Sequence, residues 1–303
     1  MRYAPLNGAD ILGDPTERIL DHRHTSADGS VRDATAAALR QAVLTAGDAT
    51  RVDRRVTITL STLRGHGSGT EARQQGSSPF RWQPSFVRRS LGLAALAACA
   101  ESSYRSPGQA VPAVADQAVT AWNRTGELRF HWEPWLAGLG PGGRAAVLAE
   151  AISWASALWS MVDWPRLGGR TTFGGPDDRW TASPRQAVCL RGRVEVRLRS
   201  SQSTPRASRA GRDRDDHALI SVAGGLPTPN WEAELGYLAL VASLRSPGAP
   251  APARVVGLWP ASGQCRIVEV DGALLHAACR LTVEVVEAWA RAELPDRSSK
   301  VAA

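Results

Sequence analysis

The chain has 303 residues, 43% of them apolar, with a formal charge of +7 and a pI near 10. That composition can bury a core of domain size, which excludes a wholly disordered chain, and the positive charge favours an anionic partner such as nucleic acid. The first fifteen residues mix Arg2, Asp10 and Asp14 without an apolar segment, and the most apolar run, residues 91–100, is too short to cross a bilayer. A cytoplasmic protein with no signal peptide and no membrane partner is therefore expected.

Residues 1–78 read as an N-terminal accessory region and linker. Ser30 is placed to cap a helix over 31–46 that carries Leu39 and Val43 on one face. Val56, Ile58 and Leu60 then alternate with Thr57, Thr59 and Ser61 at the period of a half-buried strand, and the Gly-, Ser- and Gln-rich stretch 64–78 reads as a linker.

The body, residues 79–294, opens with a helix from Pro84 that carries Arg88 and Arg89 and buries Val87, Leu91 and Ala95. Further helices are expected at 110–125 and 144–162. In the second, Val147, Ala151, Trp154, Leu158 and Met161 follow helical spacing and Glu150 falls beside that apolar face. The eleven tryptophans sit mostly in such apolar segments and are expected in the core rather than as base-stacking platforms.

From 187 to 199 the pattern becomes that of a strand, with Val194, Val196 and Leu198 on one side and Arg193, Glu195 and Arg197 on the other. A polar loop at 200–216 leads to a short apolar run, 218–223, closed by Gly224 and Gly225, as a buried central strand requires. A helix at 231–244, a hairpin of strands 254–259 and 265–270 joined by Pro260, Ala261, Ser262 and Gly263, and a helix at 273–294 complete the body. Residues 295–303 read as a flexible tail. The expected class is mixed α/β, or α+β, with a core sheet flanked by helices and a helical N-terminal extension.

The chemistry-bearing residues are sparse. Cys99, Cys189, Cys265 and Cys279 form no pair of zinc-ligand spacing and read as reduced, buried thiols. The only lysine is Lys300 in the tail, so the folded body offers none as a catalytic base or electrostatic clamp. Between residues 185 and 214 stand nine arginines against Glu195 and Asp213, an excess of seven that equals the charge of the whole chain. Of these, Arg191, Arg193, Arg197, Arg199, Arg206, Arg209, Arg212 and Arg214 are the candidate nucleic-acid contacts, because arginine pairs bidentately with phosphate and releases counterions.

Two segments resemble motifs of the RecB-like PD-(D/E)XK nuclease family. Leu190, Arg191, Gly192, Arg193, Val194 and Glu195 are similar to its hairpin motif, with Glu195 at the place of an acidic metal ligand. Residues 219–227 are similar to the strand that bears D/E-x-K, but Ser221 stands at the acid position and Ala223 at the lysine position. Tyr237 matches the aromatic of the Gln-x-x-x-Tyr helix, with Ala233 in place of the glutamine, and Glu150 matches the upstream acidic position. The resemblance implies a restriction-endonuclease-like core over about residues 80–292 and a vestigial site of Glu150, Glu195, Ser221, Ala223 and Tyr237. Serine is a poor Mg²⁺ ligand and alanine none, so no cofactor and no catalysis are expected.

A nucleic-acid-binding, nuclease-like accessory of a DNA-processing or defence assembly is the leading reading, with DNA as the expected partner and a protein such as a helicase or nuclease subunit as a second one. Two alternatives stay open. One is an active Mg²⁺-dependent nuclease with ligands relocated to Glu150, Glu195 and Glu232 or Glu234; the other is a protein-interaction scaffold.

Overall fold

The computed structural model describes residues 14–20, 29–50, 56–67, 82–167, 170–175, 177–181, 188–199, 216–245 and 251–293. Residues 68–78 of the expected linker, the expected loop up to residue 215 and the tail 295–303 lie outside the described residues. The described chain runs α1 (Pro15–Leu20), α2 (Gly29–Thr50), β1 (Val56–Ile58), α3 (Leu60–Gly67), α4 (Pro84–Ala100), α5 (Pro107–Thr125), α6 (Glu133–Ala137), α7 (Pro141–Trp159) and α8 (Trp164–Leu167). It continues with β2 (Thr171–Phe173), β3 (Asp178–Thr181), β4 (Val188–Gly192), β5 (Val196–Arg199), β6 (Asp216–Val222), α9 (Trp231–Leu244), β7 (Arg254–Trp259), β8 (Gln264–Glu269) and α10 (Gly272–Glu293).

Proline sets the start of the central helices. Pro84, Pro107 and Pro141 each occupy the first turn of α4, α5 and α7, where the missing N–H costs nothing. This is why α5 and α7 begin three residues ahead of the expected 110 and 144. The strand expected over 56–61 stops at Ile58. Thr59 and Thr62 cap each other there, the Thr59 N–H donating to Thr62 Oγ1 at 3.2 Å, and the chain turns into α3.

The main sheet has the order β2-β5-β6-β7-β8. The β6 and β7 strands are parallel and joined through α9, while the other neighbours are antiparallel. Ala218, Ile220 and Val222 of β6 join the core built with α4, α5 and α7, and Leu219 joins the core built with α9 and α10. A central strand covered on both faces must be apolar on both, which explains the unbroken run at 218–220.

The segment 187–199 is not one strand but two. The β4 strand belongs to a smaller sheet of order β1-β4-β3, and β5 belongs to the main one. Two features explain the break. Gly192 lies under α9, where a Cβ would stand 3.3 Å from Val241 Cβ, and Glu195 is bent out of the ladder to satisfy the end of β6. The β4–β5 segment therefore hands the chain from one sheet to the other. The alternation of charged and apolar residues runs through the break although Glu195 and Arg197 are both buried.

Several of the described residues before 78 contact this body. The β1 strand pairs in parallel with β4, and Val31 of α2 packs at Gly272 where α10 begins. The Cys279 thiol donates to the carbonyl of Thr35 at 3.7 Å. The fully buried Arg254 of β7 reaches the carbonyl of Arg18 in α1 at 2.5 Å and holds Glu269 of β8 through Nε at 2.8 Å.

Candidate functional site

Glu195 is the hub of the end of the main sheet. Val196 faces Ile220 in the β5–β6 register, so Glu195 stands opposite Ser221, and its N–H donates to the Ile220 carbonyl at 3.0 Å. The side chain is 2% exposed. Its Oε2 accepts the backbone N–H of Val222 at 2.7 Å, and its Oε1 is paired with the guanidinium of Arg89 from α4. Arg89 Nη2 also donates to the Val222 carbonyl at 2.8 Å, so one guanidinium nitrogen ties the carboxylate of one strand end to the backbone of the next. Arg193 Nε lies 3.7 Å from the same Oε1.

The other expected site residues are placed as follows. Ser221 and Ala223 are half-buried around the end of β6, and the Ala223 N–H donates to the Leu258 carbonyl at 2.9 Å. Glu150 is not buried against the apolar face of α7. The buried stripe of that helix runs through Val147, Ala151, Ala155 and Leu158, and Glu150 lies at its rim with its side chain 55% exposed, facing Arg88 at 3.4 Å. Adjacent arginines on α4 thus hold two separate carboxylates, Arg88 that of α7 and Arg89 that of the sheet.

Tyr237 is completely buried in α9, away from the cluster. Its hydroxyl donates to the Ile58 carbonyl at 2.7 Å and accepts the Arg191 N–H at 3.2 Å, bridging β1 and β4. Burial pushes its phenol well above the ordinary value of 10. Glu234, in the first turn of α9, is buried and accepts the Thr228 hydroxyl at 2.8 Å, whereas Glu232 is exposed.

The expected arginine face divides in two. Arg197 is 1% exposed, with Nη2 donating to Asp178 of β3 at 2.8 Å, and Arg245 Nη1 donates to the other oxygen of Asp178 at 2.7 Å. Arg197 is thereby removed from the surface set, because its partner Asp178 comes from a strand outside the window in which charge was counted. Arg191 is paired with Asp177 but stays exposed, with 44% of its side chain accessible. Arg193, 67% exposed, and Arg199 remain at the surface. Arg206, Arg209, Arg212 and Arg214 lie outside the described residues.

Sequence reasoning missed the two residues that organise these clusters, Arg89 and Asp178. Each pairs across a long sequence separation, and only the amphipathic position of Arg89 on α4 hints that it points toward the sheet. The tryptophan expectation is met in the core: Trp132 and Trp164 are fully buried, their indole N–H groups donating to Ser90 Oγ at 3.1 Å and to the Leu158 carbonyl at 2.9 Å. Among the described residues, no three His, Cys, Asp or Glu side chains group as a metal-ion cage, and no helix is long and apolar enough to cross a membrane. No protein-family model matches the chain, and no curated protein matches it.

Proposed function

We propose that the chain is a catalytically silent, nuclease-like protein of the RecB-like PD-(D/E)XK type that binds nucleic acid, DNA foremost, as an accessory of a DNA-processing or defence assembly in the cytoplasm. The observation that carries this reading is the occupation of Glu195. One carboxylate oxygen is held by a backbone amide and the other by Arg89.

Mg²⁺ demands near-octahedral oxygen ligation and sheds its water reluctantly. The residues present do not fit it. At Glu195 Oε1 the cation is already a guanidinium, the opposite strand offers the hydroxyl of Ser221 and the methyl of Ala223, and Glu150 is engaged by Arg88. The paired β5 and β6 strands, followed by α9 and the parallel β7, support the nuclease-like core, since they join the two segments that carry the resemblance. The exposed arginines support an anionic partner.

The test is incubation of the purified protein with DNA and RNA in Mg²⁺ and in Mn²⁺. Intact substrate is the expected result. Cleavage that persists through repurification and disappears in Glu195→Ala would overturn the reading in favour of an active nuclease.

A further inference from the structure

At the end of the main sheet, two guanidiniums converge on one carboxylate. Arg89 and Arg193 both approach Oε1 of Glu195, so the cluster keeps one uncompensated positive charge. Both hydrogen bonds of Arg89 to the protein are made by Nη2; its Nε and Nη1 have none among the described residues, and Nε is buried. Arg193 makes no hydrogen bond among the described residues and is two-thirds exposed, while Arg89 keeps 33% of its side chain accessible. The rim beside them is low: beyond Val222 the chain continues as Ala223, Gly224 and Gly225, both glycines exposed, with nothing within 4 Å of where a Cβ would stand.

An unsatisfied, partly buried guanidinium with a second one at its mouth favours an anion with several oxygen acceptors. We propose that Arg89 and Arg193 form a metal-independent site for a backbone phosphate of nucleic acid, Arg89 supplying the fixed, partly buried charge and Arg193 the exposed outer one. Glu195 acts here as a positioning residue. It orients Arg89 through Nη2 and leaves Nη1 for the ligand, Nε being buried. The glycines let a nucleic-acid strand pass close to the backbone. This inference rests on the nucleic-acid-binding reading and places part of the binding at the sheet end rather than wholly on the arginines at 206–214.

The experiment is fluorescence anisotropy with a labelled single-stranded oligonucleotide in EDTA at several salt concentrations. It compares the wild type, Arg193→Gln, Glu195→Gln and a fourfold serine variant of Arg206, Arg209, Arg212 and Arg214. Arg193→Gln, at an exposed position, should fold normally, weaken binding about tenfold and lower the slope of log K against log salt by about one. Glu195→Gln keeps an acceptor for the Val222 N–H but turns an amide NH2 toward Arg89, which loses its orientation, so it should bind more weakly than the wild type.

Unchanged affinity and slope in Arg193→Gln, with binding lost in the fourfold serine variant, overturns this site and leaves nucleic-acid binding standing. Absence of binding by the wild type overturns both. Binding that requires Mg²⁺ also overturns the site, because its charge would then come from the metal.

Discussion

The carboxylate of Glu195 and the backbone of Val222 are joined twice, directly by the Val222 N–H at 2.7 Å and through Arg89, which bonds both the carboxylate and the Val222 carbonyl. The ends of β5 and β6 are therefore closed by an ion pair rather than by further ladder hydrogen bonds. Glu195→Ala leaves Arg89 facing a buried void and orphans the Val222 amide. It should cost about 3 kcal/mol, the lower end for a broken buried pair because Arg89 stays partly solvated. Denaturant unfolding measures this, and a loss below about 0.5 kcal/mol, as at an ordinary surface site, contradicts it.

Asp178 serves two arginines, and Arg197 is almost wholly out of solvent. Asp178→Ala removes a buried carboxylate that two arginines share and should destabilise by about 3 kcal/mol, whereas Arg245→Ala, which leaves the Asp178–Arg197 pair intact, should cost less. The ordering of the two variants in urea melts is the test; equal losses would mean that Arg197 finds other compensation.

Tyr237→Phe removes a donor to Ile58 and an acceptor for Arg191 and should destabilise by about 1–3 kcal/mol. The phenol also makes a signed pH prediction. Its folded-state value is raised above the unfolded value of 10, so its contribution is fully present below that pH and is lost as the pH rises and the unfolded chain ionises first. Cys99 and Cys265, pushed up to about 11 by burial, act with the same sign, so the informative quantity is the difference between wild type and variant. That difference should shrink as the pH is raised above 10; a constant difference means that the phenol titrates as if exposed.

At Gly92, a Cβ would stand 2.6 Å from the indole of Trp154, so α4 and α7 touch with no room for a methyl group. Gly92→Ala should cost about 1–3 kcal/mol by overpacking, despite the better helix propensity of alanine. Combining it with Trp154→Leu should recover part of that loss, and strictly additive thermal destabilisation would show that the ring is not the obstacle.

How much of this was legible in sequence depends on the range of the interaction. Helices α4, α7 and α9, the β7–β8 hairpin and the buried β6 strand follow from periodicity and from proline or glycine at their ends. The pairing of β5 with β6 joins the two segments that carry glycine-bearing motifs. Short elements were not legible: α1, α6, α8, β2 and β3 are held by tertiary contacts and carry too few residues for a period to show. The break between β4 and β5 was hidden because charged and apolar residues alternate without interruption from Arg193 to Leu198, and buried ion pairs take up Glu195 and Arg197. The site was legible at Glu195 but not at its partner, and Arg197 was read as a surface charge because Asp178 lies in a different strand.

The measurement that bears most directly on the central claim is a fluorescence titration of the wild type with single- and double-stranded DNA at two salt concentrations, each with and without Mg²⁺. Saturable binding that weakens steeply with salt and is unchanged by the metal is the expected result, because the cation at Glu195 is Arg89. Failure to bind either DNA at low salt would contradict it and move the weight to a protein-interaction scaffold.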